Sequence, residues 1–266
     1  MTVGVAAIYG RSNSPGVVVI ADRMISMGPM TFEHSVSKLK IIIDDQDIKV
    51  VGVAAGDLSL INDFFDKLVQ DASACKSVRE VALKGVDVYN SMLRDSIKRR
   101  LLDPFGLDFA TLQGGNLPTE LVQRFITDSN NLVQSYYDNL QVLLAGVDGA
   151  GGHIMYVLQS DYSLIDSLGF GAVGSGSSSA TWVLVHKRYN PSESVVYAVA
   201  LASWAKFQAE EAFGVGTDTD AIIVAKDGLQ YVRKEVLDNI RNEVTKIQDE
   251  EDRELATLIS NLKLGN

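Results

Sequence analysis

The chain opens with TVGVAAIY at residues 2–9, passes through a turn containing Gly, Ser, Asn and Pro at residues 10–16, and continues with VVVIA at residues 17–21. Two runs rich in β-branched residues on either side of such a turn predict a β-hairpin. Both runs are nearly continuously apolar and do not alternate, which indicates strands that are covered on both faces. The hairpin therefore predicts a sheet that is packed against other parts of the chain on both sides.

The rest of the pattern separates strands and helices into blocks. Further strands are predicted at residues 39–43, 48–55, 141–146, 153–158, 163–165, 220–224 and 229–232. Helices are predicted at residues 57–68, 78–102, 119–140, 180–189, 192–212 and 233–264. Residues 103–116 predict a loop, and residues 169–179 a Gly- and Ser-rich turn. Blocks of this kind favour an α+β layered fold over alternating βαβ units.

The composition bounds the size and the partners of the protein. Its 266 residues are 46% apolar and 22% charged, which suits one large domain, or one domain with an appended element. The formal net charge of −10 argues against nucleic acid as a partner, because binding phosphates requires clustered Lys and Arg. No run is long enough to span a bilayer, and no signal-peptide pattern precedes the first strand, so no membrane partner is expected.

The cysteine, histidine and glycine patterns predict neither a cofactor nor a metal. The single cysteine, Cys75, cannot form an internal disulfide, which favours a reducing compartment and a cytoplasmic location. The three histidines lack metal-ligand spacing. Residues 169–174 match GxGxxG, and Glu193 lies 193 − 174 = 19 residues further on. Glu193 opens a helical segment and does not end a second parallel strand, so no dinucleotide site is predicted.

Thr2 is the first candidate for chemistry. Met1 precedes a small residue, the usual context for methionine removal, and its loss would leave Thr2 with a free α-amine. An α-amine has a pKa of about 8, so it can accept the hydroxyl proton while the same residue attacks a carbonyl carbon. Such a nucleophile needs a nearby cation and a carboxylate that holds the cation. Lys38, before the third strand, and Asp22, at the end of the second, are the candidates, with an ordinary strand-end ion pair as the alternative.

Here the sequence resembles the proteasome β-subunit family of N-terminal nucleophile hydrolases, including its bacterial proteasome-like peptidases. It shares a Thr on the first strand, an apolar strand ending in Ala-Asp, and a Lys followed by an apolar residue. The separation between Asp22 and Lys38 is 38 − 22 = 16 positions, as in the family. The resemblance implies a four-layer αββα sandwich, in which Thr2, Asp22 and Lys38 are catalytic. It also implies that Ser26 contacts the substrate.

Two turns complete the implied site. Residues 54–57, AAGD, resemble the family's strand-to-helix turn, so the backbone N–H of Gly56 is the implied oxyanion donor. Gly52 is a competing candidate for that role. Residues 173–177, VGSGS, resemble the family's Gly-Ser-Gly-Ser turn, which makes Ser175 the accessory hydroxyl.

The resemblance also divides the chain and implies partners. Residues 1–232 are expected to form the proteasome-like domain, with a helical insertion at about residues 103–140, and residues 233–266 a C-terminal helical extension. A peptide or protein substrate and a homo-oligomer such as a ring are implied, while an ATPase unfoldase partner is left open.

The sequence departs from the family near its last hairpin. The supporting Asp and Ser of the family fall on Ala212 and Val215 here, and only Glu210 or Glu211 offers a carboxylate nearby. The separation from the threonine to the aspartate, 22 − 2 = 20 positions, is also longer than in the family. An alternative alignment of the first strand leaves no nucleophile at the usual place.

The implied reaction is hydrolysis of an amide bond in a peptide by an N-terminal threonine peptidase that becomes active after removal of Met1. Two alternatives remain. One is a catalytically silent proteasome-like subunit that serves as a scaffold or assembly partner, and the other is a small-molecule amidase of the same fold.

Overall fold

The fold is taken from a computed structural model, which describes residues 2–27, 30–33, 37–114, 117–157 and 162–261. The strands within these ranges are β1 (Gly4–Tyr9), β2 (Gly16–Asp22), β3 (Met24–Met27), β4 (Met30–Glu33), β5 (Lys40–Asp44), β6 (Lys49–Gly56), β7 (Leu140–Asp148), β8 (Gly151–Val157), β9 (Tyr162–Leu164), β10 (Phe170–Val173), β11 (Thr219–Ala225) and β12 (Gly228–Tyr231). The helices are α1 (Leu58–Asp71), α2 (Val78–Ile97), α3 (Phe109–Gln113), α4 (Thr119–Asn139), α5 (Ser177–His186), α6 (Val195–Ala209) and α7 (Lys234–Asn261). A π-helical turn (Lys98–Leu102) and a 3₁₀ turn (Asp103–Phe105) follow α2.

Ten of the described strands form two five-stranded antiparallel sheets. The first sheet has the order β10-β1-β2-β11-β12 and the second the order β5-β6-β7-β8-β9, while β3 and β4 form a separate small hairpin. Helices α5, α6 and α7 pack on the outer face of the first sheet, and α1, α2 and α4 on that of the second.

Burial on both faces of β1 explains why its sequence is apolar throughout. Val5 and Ala7 pack toward the helices on the first sheet, whereas Ala6 and Ile8 pack between the two sheets. All four residues are at most 1% exposed. A strand inside such a sandwich presents both sides to apolar neighbours, so its period of two disappears from the hydrophobic pattern. The predicted four-layer αββα sandwich is confirmed.

The prediction of a turn at residues 169–179 is wrong at both ends of that stretch. Residues 170–173 form β10, which pairs with β1 in the register Gly4↔Val173, and α5 begins at Ser177. The strand is short and contains Gly171, so it lacks a local strand signature. The side chain of Ile165 occupies the space where a Cβ on Gly171 would lie. The small β3–β4 hairpin also had no counterpart in the predictions.

The two segments expected to lie outside the sandwich core are both helical. The predicted loop at 103–116 contains the 3₁₀ turn and α3. Tyr136 of α4 shares a hydrogen bond of 2.5 Å with the hydroxyl of Ser96 on α2, which holds this segment against the second sheet's helices. In α7, Leu237 is buried whereas Leu258 is 58% exposed, so the helix packs through its first half. The proposed domain division itself stays a prediction.

Within the described ranges, none of the helices combines the length and the apolar character that a transmembrane span requires.

A histidine joins three segments near the β7–β8 turn. His153 Nδ1 lies 2.5 Å from Asp166 Oδ2, and His153 Nε2 lies 3.2 Å from Asp148 Oδ1. Asp148 also accepts a hydrogen bond of 3.0 Å from the N–H of Val78 at the start of α2. The hydrogen bond to Asp166 raises the pKa of His153 above its ordinary value of 6.5, although burial opposes the shift.

This cluster predicts a pH-dependent contribution to stability. A pKa raised by folding stabilises the protein fully below the unfolded value of about 6.5, and the gain is lost as pH rises through the higher folded pKa. We expect the difference in free energy of unfolding between wild type and His153→Gln to shrink over that window. Urea unfolding of both proteins from about pH 5 to 9 measures it, since other titrating groups cancel in the difference. A difference that is independent of pH would contradict the prediction.

Candidate active site

Three residues singled out in the sequence meet at one end of the sandwich. Thr2 precedes β1, Asp22 ends β2 and Lys38 precedes β5. Because β1 and β2 are antiparallel with Gly4 opposite Ala21, the start of one strand lies beside the end of the other. The ammonium Nζ of Lys38 contacts Thr2 Oγ1 and lies 3.0 Å from both carboxylate oxygens of Asp22. The Lys38 ammonium thereby connects the Thr2 hydroxyl to the Asp22 carboxylate.

The Asp22 carboxylate is buried and oriented by main-chain donors. Its Oδ1 accepts a hydrogen bond of 2.9 Å from the N–H of Val3. Its Oδ2 accepts bonds from the N–H groups of Met24 at 2.9 Å and Gly216 at 3.1 Å. With the two contacts to Lys38, the acceptor capacity of this carboxylate is well used, as a fully buried charge requires. Its orientation fixes where the Lys38 ammonium sits.

Burial tunes the ammonium that touches Thr2. The Lys38 side chain is only 15% exposed. Burial lowers the pKa of Lys38, while the charge and hydrogen bonds of Asp22 act in the opposite direction. A lysine with a lowered pKa loses its proton more readily and, while charged, favours loss of a proton from a neighbouring hydroxyl or amine. The cluster is therefore suited to activating Thr2, which is 5% exposed.

The main chain of Thr2 is held by the turn that follows β10. The carbonyl oxygen of Thr2 accepts hydrogen bonds of 3.4 Å from Ser175 Oγ and from the N–H of Gly176. Gly174 has φ +93°, and a Cβ there would overlap that carbonyl oxygen and lie 3.1 Å from the Cβ of Ala55. The hydroxyl of Ser175 thus binds the main chain of Thr2, and the end of β6 lies beside the same turn.

The two glycines considered as oxyanion donors have different surroundings. Gly56 ends β6 with φ +132°, and a Cβ there would overlap the carbonyl oxygen of Asn139. The next residue, Asp57, caps α1 by accepting a bond of 2.8 Å from the N–H of Ser59. Gly52 lies in mid-strand, where a Cβ would strike the ring of Phe65. Gly56 is therefore the glycine at a strand end and a helix N-terminus, and its oxyanion role stays a prediction.

The fold is shared with a bacterial proteasome-like protein. The Gly-1 mutant of Anbu from Hyphomicrobium sp. strain MC1 superposes with a TM-score of 0.66 at 13% sequence identity, over 100% of both chains. No protein-family model and no curated protein sequence matches the chain. At this identity the likeness to Anbu concerns the fold alone, so the chemistry of the site has to be argued from its own residues.

The remaining site predictions have separate outcomes. Ser26 lies on β3 opposite Thr31 of β4, and its side chain is outside the described residues. Val215 is 6% exposed and packs into the core between the first sheet and its helices. Its neighbour Ala212 packs against the same core. Neither residue supplies the polar group that the family carries, and Glu211 is exposed.

Glu210, one of the two carboxylates near the last hairpin, binds two cationic side chains. Its carboxylate accepts a hydrogen bond of 2.6 Å from Lys206 and two of 2.7 Å from Arg241. Sequence reasoning missed Lys206, a wholly buried lysine on α6. The available signal was a lysine inside the otherwise apolar helix VVYAVALASWAKFQA, since lysine is almost never fully buried without a partner.

No group of three or more His, Cys, Asp and Glu side chains suited to a metal ion occurs in the part of the chain that the structure describes.

Proposed function

We propose that this chain is a hydrolase of amide bonds whose nucleophile is Thr2, active once Met1 has been removed. The observation that carries the proposal is the contact of one partly buried ammonium, Lys38 Nζ, with both Thr2 Oγ1 and the Asp22 carboxylate. An ordinary strand-end ion pair explains the bond to Asp22 but not the contact with a threonine hydroxyl at the second position of the chain. The expected substrate is a peptide or protein segment.

The proposed reaction has two halves. The free α-amine of Thr2 takes the proton from Oγ1 as Oγ1 attacks the carbonyl carbon of the substrate amide, and the N–H of Gly56 stabilises the oxyanion. The C–N bond then breaks, and the leaving nitrogen receives the proton held by the α-amine. Water attacks the resulting ester with the amine again as base, which releases the carboxylic acid and restores the Thr2 hydroxyl.

Each of the other groups has a physical task in this scheme. The Lys38 ammonium lowers the pKa of the adjacent α-amine by charge repulsion, so that the amine is a free base near neutral pH. Asp22 holds Lys38 in place, and Ser175 with Gly176 holds the Thr2 main chain through hydrogen bonds to its carbonyl oxygen. Preorganisation of this kind removes the cost of arranging the groups during the reaction.

A catalytically silent subunit is the second candidate function, and a specific observation favours it. The positions at which the family carries a supporting Asp and Ser hold Ala212 and Val215, and Glu210 is engaged by Lys206 and Arg241. In that case the chain would serve as a scaffold or assembly partner, as the implied homo-oligomer allows. A small-molecule amidase shares the proposed chemistry and differs only in substrate.

Intact-mass measurement with a threonine-directed reagent tests the proposal. We expect purified protein to lack Met1 and to gain one equivalent of a peptide epoxyketone, with the adduct mapped to Thr2. The matched control is the same protein produced with methionine aminopeptidase inhibited, which should keep Met1 and stay unmodified. Retention of Met1 in the untreated protein would overturn the catalytic proposal, and loss of Met1 without an adduct or hydrolysis would favour the scaffold.

A panel of fluorogenic peptides and small amides separates the two enzymatic readings. Turnover of extended peptides with little turnover of the small amides supports a peptidase, and the reverse supports the amidase.

A further inference from the structure

A second buried lysine lies behind Asp22 and has no part in the proposed reaction. Lys206 is 0% exposed. Its Nζ donates to Glu210 Oε1 at 2.6 Å, to the carbonyl oxygen of Gly216 at 2.8 Å and to that of Thr217 at 3.1 Å. All three ammonium donors are thereby used, on one carboxylate and two adjacent main-chain carbonyls.

The segment of Gly216 and Thr217, whose carbonyl oxygens Lys206 binds, also contacts the candidate site through a backbone N–H. The N–H of Gly216 donates to Asp22 Oδ2 at 3.1 Å, while the carbonyl of Gly216 is held by Lys206. Glu33 accepts from the N–H of Thr217 at 2.7 Å, which fixes the next residue as well. A Cβ on Gly216 would lie within 3 Å of the Glu33 carboxylate and of the Met24 Cβ, so a larger residue there would have to displace Glu33 or Met24. One residue, Gly216, therefore lies between the Lys206 ammonium and the Asp22 carboxylate.

We propose that Lys206 is a positioning residue for the Thr2 site: it fixes the Gly216 amide on Asp22 and supplies a positive charge behind that carboxylate, opposite Lys38. This inference rests on the proposed function, because the residue acts on the reaction only through Asp22 and Lys38. It also offers a reason why Ala212 and Val215 are tolerated, since the support that the family draws from those positions comes here from α6.

The charged groups around Lys206 fit a role in positioning Asp22. Facing Lys206 are Asp22 beyond Gly216, Glu210 at the C-cap of its helix, and Arg241 from α7. Arg241 also donates to the carbonyl oxygen of Thr217 at 3.0 Å. Burial lowers the pKa of Lys206, and the charges of Glu210 and Asp22 oppose that shift. Because Glu210 keeps its two bonds to Arg241, loss of Lys206 does not strand a buried carboxylate.

The test compares Lys206→Met with Lys206→Gln. In Lys206→Met we expect kcat to fall on the order of 10²-fold with KM near the wild-type value, since a displaced catalytic group affects the transition state more than binding. The rising limb of the pH–rate profile should move to higher pH, because a lost positive charge raises the pKa of Lys38 and of the α-amine. Lys206→Gln keeps a donor for the Gly216 carbonyl and should recover part of the lost kcat. Because glutamine is neutral, its pH–rate profile should stay shifted to higher pH, as in Lys206→Met.

Lys49→Met is the matched control. Lys49 is also buried and donates to two main-chain carbonyls, of Asp45 at 2.8 Å and Lys226 at 3.1 Å. It lies at the start of β6, whereas Gly56 of the candidate site lies at the end of that strand. A merely structural effect of removing a buried lysine should appear in both Met variants. Of the two Met variants, only Lys206→Met should show the shift of the pH–rate profile.

A readout that does not need activity separates this inference from the proposed function. In protein labelled with ¹³C at the lysine ε-carbon, the Lys38 signal, assigned by its loss in Lys38→Met, should titrate at higher pH in Lys206→Met than in wild type. In wild type alone the same curve should show a second inflection at the pKa of Lys206, a measurement that needs no stable variant. An unchanged Lys38 titration without that inflection overturns the inference. A shifted Lys38 titration in a protein that forms no Thr2 adduct overturns the proposed function instead.

Discussion

Thr2→Ala is expected to hydrolyse the best peptide of the panel at a rate lower than wild type by about 10⁴-fold or more, because no other group replaces a lost nucleophile. Among the described residues, the side-chain hydrogen bond that the substitution removes is that of Lys38 with Thr2 Oγ1, so the fold should be retained. Alanine at position 2 is small, so Met1 is removed as in wild type and the α-amine is still present. The measurement is kcat/KM, together with the epoxyketone adduct, which should be absent.

Thr2→Ser is the matched control for this loss. Serine keeps a hydroxyl and the α-amine and differs by one methyl group, so hydrolysis and adduct formation should both persist at a reduced rate. Equal activity in wild type and Thr2→Ala would assign the hydrolysis to another group or to a contaminant. Inactivity of all three proteins, with Met1 removed, would leave the scaffold as the better interpretation.

Lys38→Met should have the second largest effect, a fall in kcat of about 10³-fold, which is what loss of one preorganised electrostatic group costs at an active site. Methionine has a similar length and suits a side chain that is 15% exposed. Without the ammonium, the α-amine returns toward an ordinary pKa and the Thr2 hydroxyl loses its charged neighbour. The Asp22 carboxylate keeps three main-chain donors, so we expect the protein to fold with a loss of about 1–3 kcal/mol in free energy of unfolding.

Lys40→Met controls for the loss of a lysine in the same segment. Lys40 lies two residues further on and makes an exposed ion pair of 3.2 Å with Asp66. Exposed pairs of this kind contribute about 0–1 kcal/mol, so both stability and kcat should stay near the wild-type values. Chemical denaturation and steady-state kinetics of the two variants give the comparison. A similar loss of activity in both would show that Lys38 has no special relation to Thr2.

The comparison between sequence and structure is clearest at the first hairpin. Apolar runs on both sides of one turn predicted β1 and β2, and the antiparallel pairing of these strands is what brings Thr2 near Asp22. The residue spacing of the family placed Lys38 on the same site, and the structure brings its ammonium into contact with both. The prediction of the strands is local, because a strand and the residue that ends it lie within a few neighbouring positions. Lys38 lies further along the chain, and only the resemblance to the family connected it to Thr2 and Asp22.

Other features depend on contacts between distant segments. The strand β10 is four residues long and exists because β1 offers it a partner more than 160 positions away (Gly4↔Val173). The surroundings of Gly56 also depend on a distant segment, because the carbonyl oxygen of Asn139 occupies the space where a Cβ would lie. No window of sequence contains both partners of such a contact.

The sequence by itself predicted the layered α+β fold from its separate blocks of strands and helices. The resemblance to the proteasome β-subunit family singled out Thr2, Asp22 and Lys38, whose catalytic roles stay a prediction. Only the tertiary structure decided that Arg241 of α7 joins the i,i+4 pair of Lys206 and Glu210, and that Gly216 lies between Lys206 and Asp22. The reason is physical. A buried charge is stabilised by whatever donors and acceptors the packed elements bring within about 3 Å, and that set follows from how the layers pack and not from the order of residues along the chain.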